Sequence, residues 1–281
     1  MKLLVRSLIL LSQQTISDYR EHGYAVLKAA INTSVIAAIK GEIQSIFTPL
    51  LQRHKIALVG SDFDTALSEL FRRDMVGFQA AARATQLSPK LHNLGSGELM
   101  IGLVKKFGLK QPIIAVRPVV HIISDELKVP DGYHRTPAHQ DWRSVQGSID
   151  AIVVWLPLVK VSASFGALEV WPGSHKRGLL ETRPDPFGNV VVDSQLEEDE
   201  FIPVSVDPGD AVAFSMFTVH HTGKEQSPGI RWAVSLRYNN AAATDYIEHG
   251  YPNPFVYKTE DDLLVKNYPT FHDIQRVFGS E

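Results

Sequence analysis

The chain contains no cysteine. That excludes disulfides, thiolate metal sites and cysteine nucleophiles, and leaves histidine and carboxylate to hold any metal. Long apolar runs are also lacking: nothing in the 281 residues approaches the roughly 18 consecutive apolar residues of a membrane span. The opening MKLLVRSLILLSQQ is broken by Arg6 and Ser7, and no small-residue cleavage site follows. It therefore reads as a short buried strand or helical turn rather than an export signal. Excess positive charge is missing too. With 28 Lys and Arg against 31 Asp and Glu, the net charge is −3, and no polybasic segment stands out. Neither a nucleic-acid face nor a lipid-binding patch is expected. The expectation is a soluble, cytoplasmic protein.

What is present is an ordinary globular composition, 44% hydrophobic and 21% charged, enough for a sizeable core. No internal repeat or low-complexity linker divides the chain, so residues 1–281 read as one domain. Residues 1–110 are largely helical. In 15–52, Ile16, Tyr19 and Arg20 lead to Gly23, and Val35, Ile36, Ile39, Ile43 and Ile46 recur at three- and four-residue steps. Asn32 or Thr33 suits the N-cap of the second helix. YAVLKAA (24–30) between them reads as a strand, and 62–85 as helix. From about 111 the texture turns to short Val- and Ile-rich runs bounded by Pro and Gly: 112–123, 148–159, 166–171, 201–206, 210–217 and 230–239. Such runs predict a sandwich or barrel rather than parallel βαβ units, with the earlier helices buttressing one face. Residues 176–200 read as a long excursion suited to an active-site lid. Its acidic stretch, 196–200, reads as a solvated face. Within the C-terminal extension, 241–281, the aromatic-rich tail 249–281 is expected to pack on the outside.

AHQDW (138–142) places His139 and Asp141 two apart, so on an extended backbone their side chains share a face. Such a pair supplies two ligands of a 2-His-1-carboxylate triad, which leaves positions open on iron(II). Alone it carries little weight. With 11 His and 31 acidic residues in the chain, chance gives roughly one H-x-[D/E] match. Further along, PGDAVAFSMFTVHHTGKEQSPGIRWAVSLRYN (208–239) sets a Pro-Gly-Asp turn before an apolar strand, then a histidine pair, then a strand opened by Arg231.

In order and spacing, HQD (139–141), GALEVWPGSHKRG (166–178), PGD (208–210) and HHTG with an arginine eleven residues after its first histidine closely resemble the phytanoyl-CoA dioxygenase family of Fe(II)/2-oxoglutarate oxygenases. Residues 16–43 also look like that family's opening helix-strand-helix, whereas 50–110 match nothing familiar. The resemblance implies a double-stranded β-helix (jelly roll, cupin-like) with iron held by His139, Asp141 and His220. Arg231 would take the distal carboxylate of the co-substrate 2-oxoglutarate, a pairing that suits a planar guanidinium. His220 and His221 cannot both face the metal, since adjacent residues of a strand point oppositely. His220 matches the family's register, and His221 stands where a small residue is commoner. Thr222 would lie beside His220, with its hydroxyl toward the co-substrate.

Trp155 resembles a co-substrate-pocket tryptophan, although packing alone would account for it. Arg117 and His121 share a face with Val119 by even spacing, and His121 resembles a co-substrate contact. Gln140 and Trp142 alternate away from the ligands, toward the pocket mouth. His175 is a family hallmark within a Pro-Gly-Ser-His turn and is given a structural role. The implied reaction couples dioxygen and decarboxylation of 2-oxoglutarate to succinate with hydroxylation of an unactivated C–H bond in a small-molecule substrate. Asp141 favours hydroxylation because related halogenases lack this carboxylate; desaturation, epimerisation and ring closure stay open. The rivals are a non-catalytic cupin-like binding barrel, which the intact ligand set and Arg231 disfavour, and a metal-dependent isomerase or hydrolase, which would not need Arg231. Arg117, His134 and Arg135 would suit a polar substrate handle at the mouth.

Overall fold

The computed structural model describes residues 11–58, 62–128, 135–224, 227–255 and 265–279. The expected opening element at the N-terminus and His134 lie outside these residues. The helical part runs α1 (Gln13–His22), β1 (Tyr24–Leu27), α2 (Thr33–Arg53), α3 (Phe63–Arg73), α4 (Met75–Thr85), α5 (Pro89–Ser96) and α6 (Glu98–Lys106). There follow β2 (Pro112–Ile123), α7 (Asp141–Val145), β3 (Ile152–Pro157), β4 (Leu168–Val170), β5 (Thr182–Asp185), β6 (Gly188–Val191), β7 (Ile202–Val204), β8 (Ala211–Ser215), β9 (His220–Thr222), β10 (Arg231–Asn240), α8 (Thr244–Glu248) and α9 (Phe271–Phe278).

Local signals set the helix ends. Gly23 closes α1 at φ 80°, a left-handed conformation that glycine adopts without steric cost. Asn32 caps α2 by accepting from the Ser34 amide. The helix predicted over 62–85 is two helices, because Asp74 ends α3 and caps α4 through the Gly77 amide. On α2 the buried stripe is Ile36, Ile39, Ile43, Phe47 and Leu51, whereas Val35 is exposed.

The large sheet has the order β1-β8-β3-β10-β2 and faces a smaller one, β7-β4-β9; every pairing in both is antiparallel. This is the jelly-roll core. Strand alternation gives the large sheet two distinct faces. Ile152, Val154, Leu156, Ala211, Ala213, Trp232, Val234 and Leu236 join the helices in one apolar cluster. Val153, Trp155, Val212, Phe214 and Ala233 face the small sheet and meet Leu168, Val170 and Val204. Each fully buried aliphatic or aromatic side chain stabilises the fold by about 1.5–3 kcal/mol.

Asp210 of the Pro-Gly-Asp turn ties these layers together. It accepts from the Ala29 amide (2.9 Å), the Asp207 amide (3.0 Å) and Lys28 Nζ (2.8 Å), pinning the loop after β1 to the start of β8. The excursion at 176–200 contains a feature missed in the sequence, the β5–β6 hairpin. Its acidic end is exposed where described, and Glu197 pairs with Arg177. The C-terminal extension does more than lie outside. Tyr268 and Ile274 are buried in the inner cluster, and Phe278 packs on His175 and Phe217.

Candidate active site

Two histidines meet through the backbone. His139 and His220 form an antiparallel bridge, each donating its amide to the other's carbonyl at 3.1 Å. Residues opposite one another in such a bridge project to the same face, and these imidazole centroids lie 4.2 Å apart. Asp141 follows because Gln140 is extended (φ −114°, ψ 125°), which keeps residues 139 and 141 on one side even though Asp141 already opens α7. One donor atom from each of His139, Asp141 and His220 lies within 4.8 Å of the others, and all three side chains are buried.

The ring tautomers are set by the backbone. His139 Nδ1 lies 2.8 Å from the Pro137 carbonyl and His220 Nδ1 lies 3.0 Å from that of Thr218. A carbonyl can only accept, so each Nδ1 carries the proton and each Nε2 keeps a lone pair for a metal. Burial, then the neighbouring His139, pushes His220 down to about 3, so it is neutral at physiological pH. For Asp141 burial alone would raise the pKa. Arg237, ahead of the two imidazoles, overrides burial and holds the carboxyl well below the usual range. Two imidazoles, one carboxylate and no thiolate fit iron(II) with coordination positions left open.

Arg231 opens β10 and is 2% exposed. Its polar contacts are sparse: Nη2 lies 3.4 Å from Thr222 Oγ1, and Nε has no partner among the described residues. The guanidinium lies over Trp155, 5.6 Å from the ring centroid. No carboxylate among the described residues pairs with it, and burial lowers its pKa to about 10. A buried cation without an anion is costly, so this position fits a ligand carboxylate. Arg231, Thr222, Trp155 and His121 line the same cavity of about 610 Å³ as the three potential metal ligands. His121 faces Ala233 across the β2–β10 ladder, with Nε2 3.0 Å from Ser235 Oγ. Burial, then Arg231 and Arg237, keeps its pKa well below the ordinary value. His221 points the other way, 3.2 Å from Glu169, as strand alternation requires.

Other expectations need correction. Gln140 does not shape a pocket mouth. It is 2% exposed, donates from Nε2 to the carbonyls of Gly178 and Phe217 (2.8 Å each), and accepts the Leu180 amide. Trp142 is a core residue stacked on Phe217. The Trp142 assignment assumed a continuous strand, which α7 ends; Gln140 does point away from the ligands, but that side is packed interior rather than a mouth. Arg117 does not share a regular face with His121. The β2–β10 register shifts between Val119 and Val116, around Pro118, which has no amide to donate, and Arg117 is exposed with Nε on Gln86. Arg135 bonds Asp125 and the Lys224 carbonyl and is absent from the cavity lining. His175 is buried, with Nε2 3.1 Å from the Arg20 carbonyl and Phe278 against its ring, a structural position.

Three features of the site were missed. Arg237 grips Asp141 with two bonds, Nε to Oδ2 at 2.9 Å and Nη2 to Oδ1 at 3.1 Å. The tip of the β5–β6 hairpin places Pro186 and Phe187 in the cavity wall, the Phe187 ring 4.5 Å from His139. Finally α4, from the stretch that matched nothing, supplies Phe78, Gln79, Ala82 and Arg83 to the lining.

The family model for phytanoyl-CoA dioxygenase (PhyH) matches residues 19–233, most of the chain. The chain belongs to the phytanoyl-CoA dioxygenase family. The matched span includes His139, Asp141, His220 and Arg231. Among curated relatives, a 1-deoxypentalenic acid 11-beta-hydroxylase of Streptomyces exfoliatus is 30% identical over 119 residues, 38% of this chain and 42% of that protein. A probable phytanoyl-CoA dioxygenase of Caenorhabditis elegans is 27% identical over 40% of this chain and 39% of its own length. The chain thus spans less than half of these two relatives. A Streptomyces arenae 11-beta-hydroxylase aligns over 80% of both chains at 24% identity. Among solved structures, the nogalamycin epimerase SnoN with Fe3+ and alpha-ketoglutarate superposes with a TM-score of 0.56 at 18% identity, covering 81% of this chain and 83% of that one. EctD from S. alaskensis gives 0.53 at 16% identity over 83% and 77%. These superpositions carry the fold.

Proposed function

We propose that this enzyme hydroxylates an unactivated C–H bond of a small metabolite, with His139, Asp141 and His220 holding iron(II) and Arg231 holding 2-oxoglutarate by its distal carboxylate. The observation that carries the proposal is Arg231: a buried guanidinium without an anionic partner among the described residues, in the same cavity as a two-histidine, one-carboxylate cluster. Bound there, iron and 2-oxoglutarate would supply the oxidising power, and the protein's task is placement and exclusion of water. Thr222 would share the carboxylate, Trp155 would wall the guanidinium, and neutral His121 would offer a hydrogen bond without adding charge. Phe187 and Phe214, with rings against His139 and His220, keep the metal side of the cavity apolar.

The two 11-beta-hydroxylase relatives favour oxygen insertion, whereas SnoN and the SnoK carbocyclase perform other outcomes on a similar fold. The test is succinate release by purified protein with iron(II), 2-oxoglutarate and dioxygen, with mass spectrometry of any substrate that stimulates it. Gain of one oxygen atom supports hydroxylation; an unchanged mass or loss of two hydrogens replaces it. Failure of Arg231→Ala to impair 2-oxoglutarate-dependent turnover would sink the co-substrate assignment.

A further inference from the structure

The cavity extends from the potential metal ligands to a wall built by α4 and the start of β2. Gln79, Ala82, Arg83 and Gln86 line it, and their offsets of three, four and seven trace one helical face. Arg117 joins them from β2, its Nε donating to Gln86 Oε1 at 2.9 Å. That bond holds the guanidinium by one edge and leaves Nη1 and Nη2 available as a paired donor. Among the described residues no carboxylate pairs with Arg83 or Arg117, although Arg73, Arg135, Arg177 and Arg276 elsewhere each have one.

The charge of the cavity is one-sided. Its lining holds Arg83, Arg117, Arg231 and Arg237 against a single carboxylate, Asp141. With a divalent metal and 2-oxoglutarate in place, two metal charges, Arg231 and Arg237 face two co-substrate carboxylates and Asp141. One positive charge remains, and Arg83 and Arg117 raise the surplus to three. The rest of the lining includes Phe78, Leu127, Val145, Phe187 and Phe214. An apolar room with unmatched guanidiniums at one wall selects an amphipathic anion.

We infer that the substrate is an organic carboxylate with an apolar body, its carboxylate held by Arg117 and Arg83 with Gln86 fixing the first of them. The inference rests on the iron/2-oxoglutarate reading of the same cavity. Both arginines are exposed at the wall, so solvent screening limits the effect to about tenfold rather than thousandfold.

The experiment is anaerobic calorimetric titration of Mn(II)-loaded protein, first with 2-oxoglutarate and then, at saturation, with octanoate, phenylbutanoate and adamantanecarboxylate beside their primary amides. At least one carboxylate should bind about tenfold tighter than its amide. Arg117→Gln and Arg83→Gln should each remove much of that preference while leaving 2-oxoglutarate affinity unchanged, and Arg117→Lys should restore part of it. Carboxylates binding no better than amides, including no detectable binding of either, would overturn the assignment while the co-substrate reading stands. If 2-oxoglutarate itself fails to bind, that reading falls and takes this one with it.

Discussion

The two faces of β10 are built from the same ten residues to opposite ends. Toward the helices, Trp232, Val234 and Leu236 are buried among apolar side chains. Trp232 lies edge-on to Phe47 (6.4 Å), near Phe63 (6.3 Å), and donates Nε1 to Asp64 at 3.0 Å. Toward the cavity stand Arg231, Ser235 and Arg237, as deeply buried but polar. One face holds the sheet to its helical layer, and the other holds charge where water is scarce. The largest effect should come from the apolar face. Trp232→Ala removes a fully buried ring and one of the donors to Asp64, whose other oxygen keeps the Ile230 amide, so a loss of about 3–5 kcal/mol is expected in urea denaturation. A loss under about 1 kcal/mol would mean that the helical layer is not anchored there.

The second comparison lies within the polar face, between two buried arginines six residues apart. Arg237 has its anion in Asp141; Arg231 has none among the described residues. Arg237→Met therefore strands a buried carboxylate and should cost the metal-free protein about 3 kcal/mol. A bound divalent ion offers Asp141 a replacement positive charge, so the loss should shrink when unfolding is measured with Mn(II). An equal loss with and without metal would show that Asp141 does not meet the ion. Arg231→Gln has the opposite profile. It removes an unpaired buried charge, so the metal-free stability should hold or rise, while the dissociation constant for 2-oxoglutarate should increase about a hundredfold, or 2.7 kcal/mol. Lost stability with unchanged 2-oxoglutarate binding would make Arg231 a structural residue.

These contrasts also mark what could be read in the residues beforehand. Alternation put His139 and Asp141, two apart, on one face and showed that only one of the adjacent His220 and His221 could join them; the resemblance to the family's register chose His220 and Arg231. Arg237 was within reach of the same reasoning, two further steps along the face of Arg231, Ala233 and Ser235. The β2–β10 register shifts bracket it, and its partner lies 96 residues away. Trp142 was misplaced because strand alternation was extended into α7, and Gln140 because alternation gives a direction but not what is packed there. The wall formed by α4 could not be read at all. An amphipathic helix shows which side is buried, but not which cavity its half-buried edge will border once it docks.

The smallest test concerns how the polar face is knit together. Ser235 Oγ accepts from Arg237 Nη1 at 3.0 Å and lies 3.0 Å from His121 Nε2. With His121 neutral, the hydroxyl proton is free to go to Nε2, so a single serine links the guanidinium that holds Asp141 to an imidazole lining the same cavity as Arg231. Ser235→Ala should cost about 1 kcal/mol of stability and weaken 2-oxoglutarate binding by a few-fold. If the three residues act as one unit, combining it with Arg237→Met should give a total that departs from the sum of the single losses by about 0.5 kcal/mol or more. Additivity within about 0.3 kcal/mol would mean that the serine merely fills space and that the two arginines act independently.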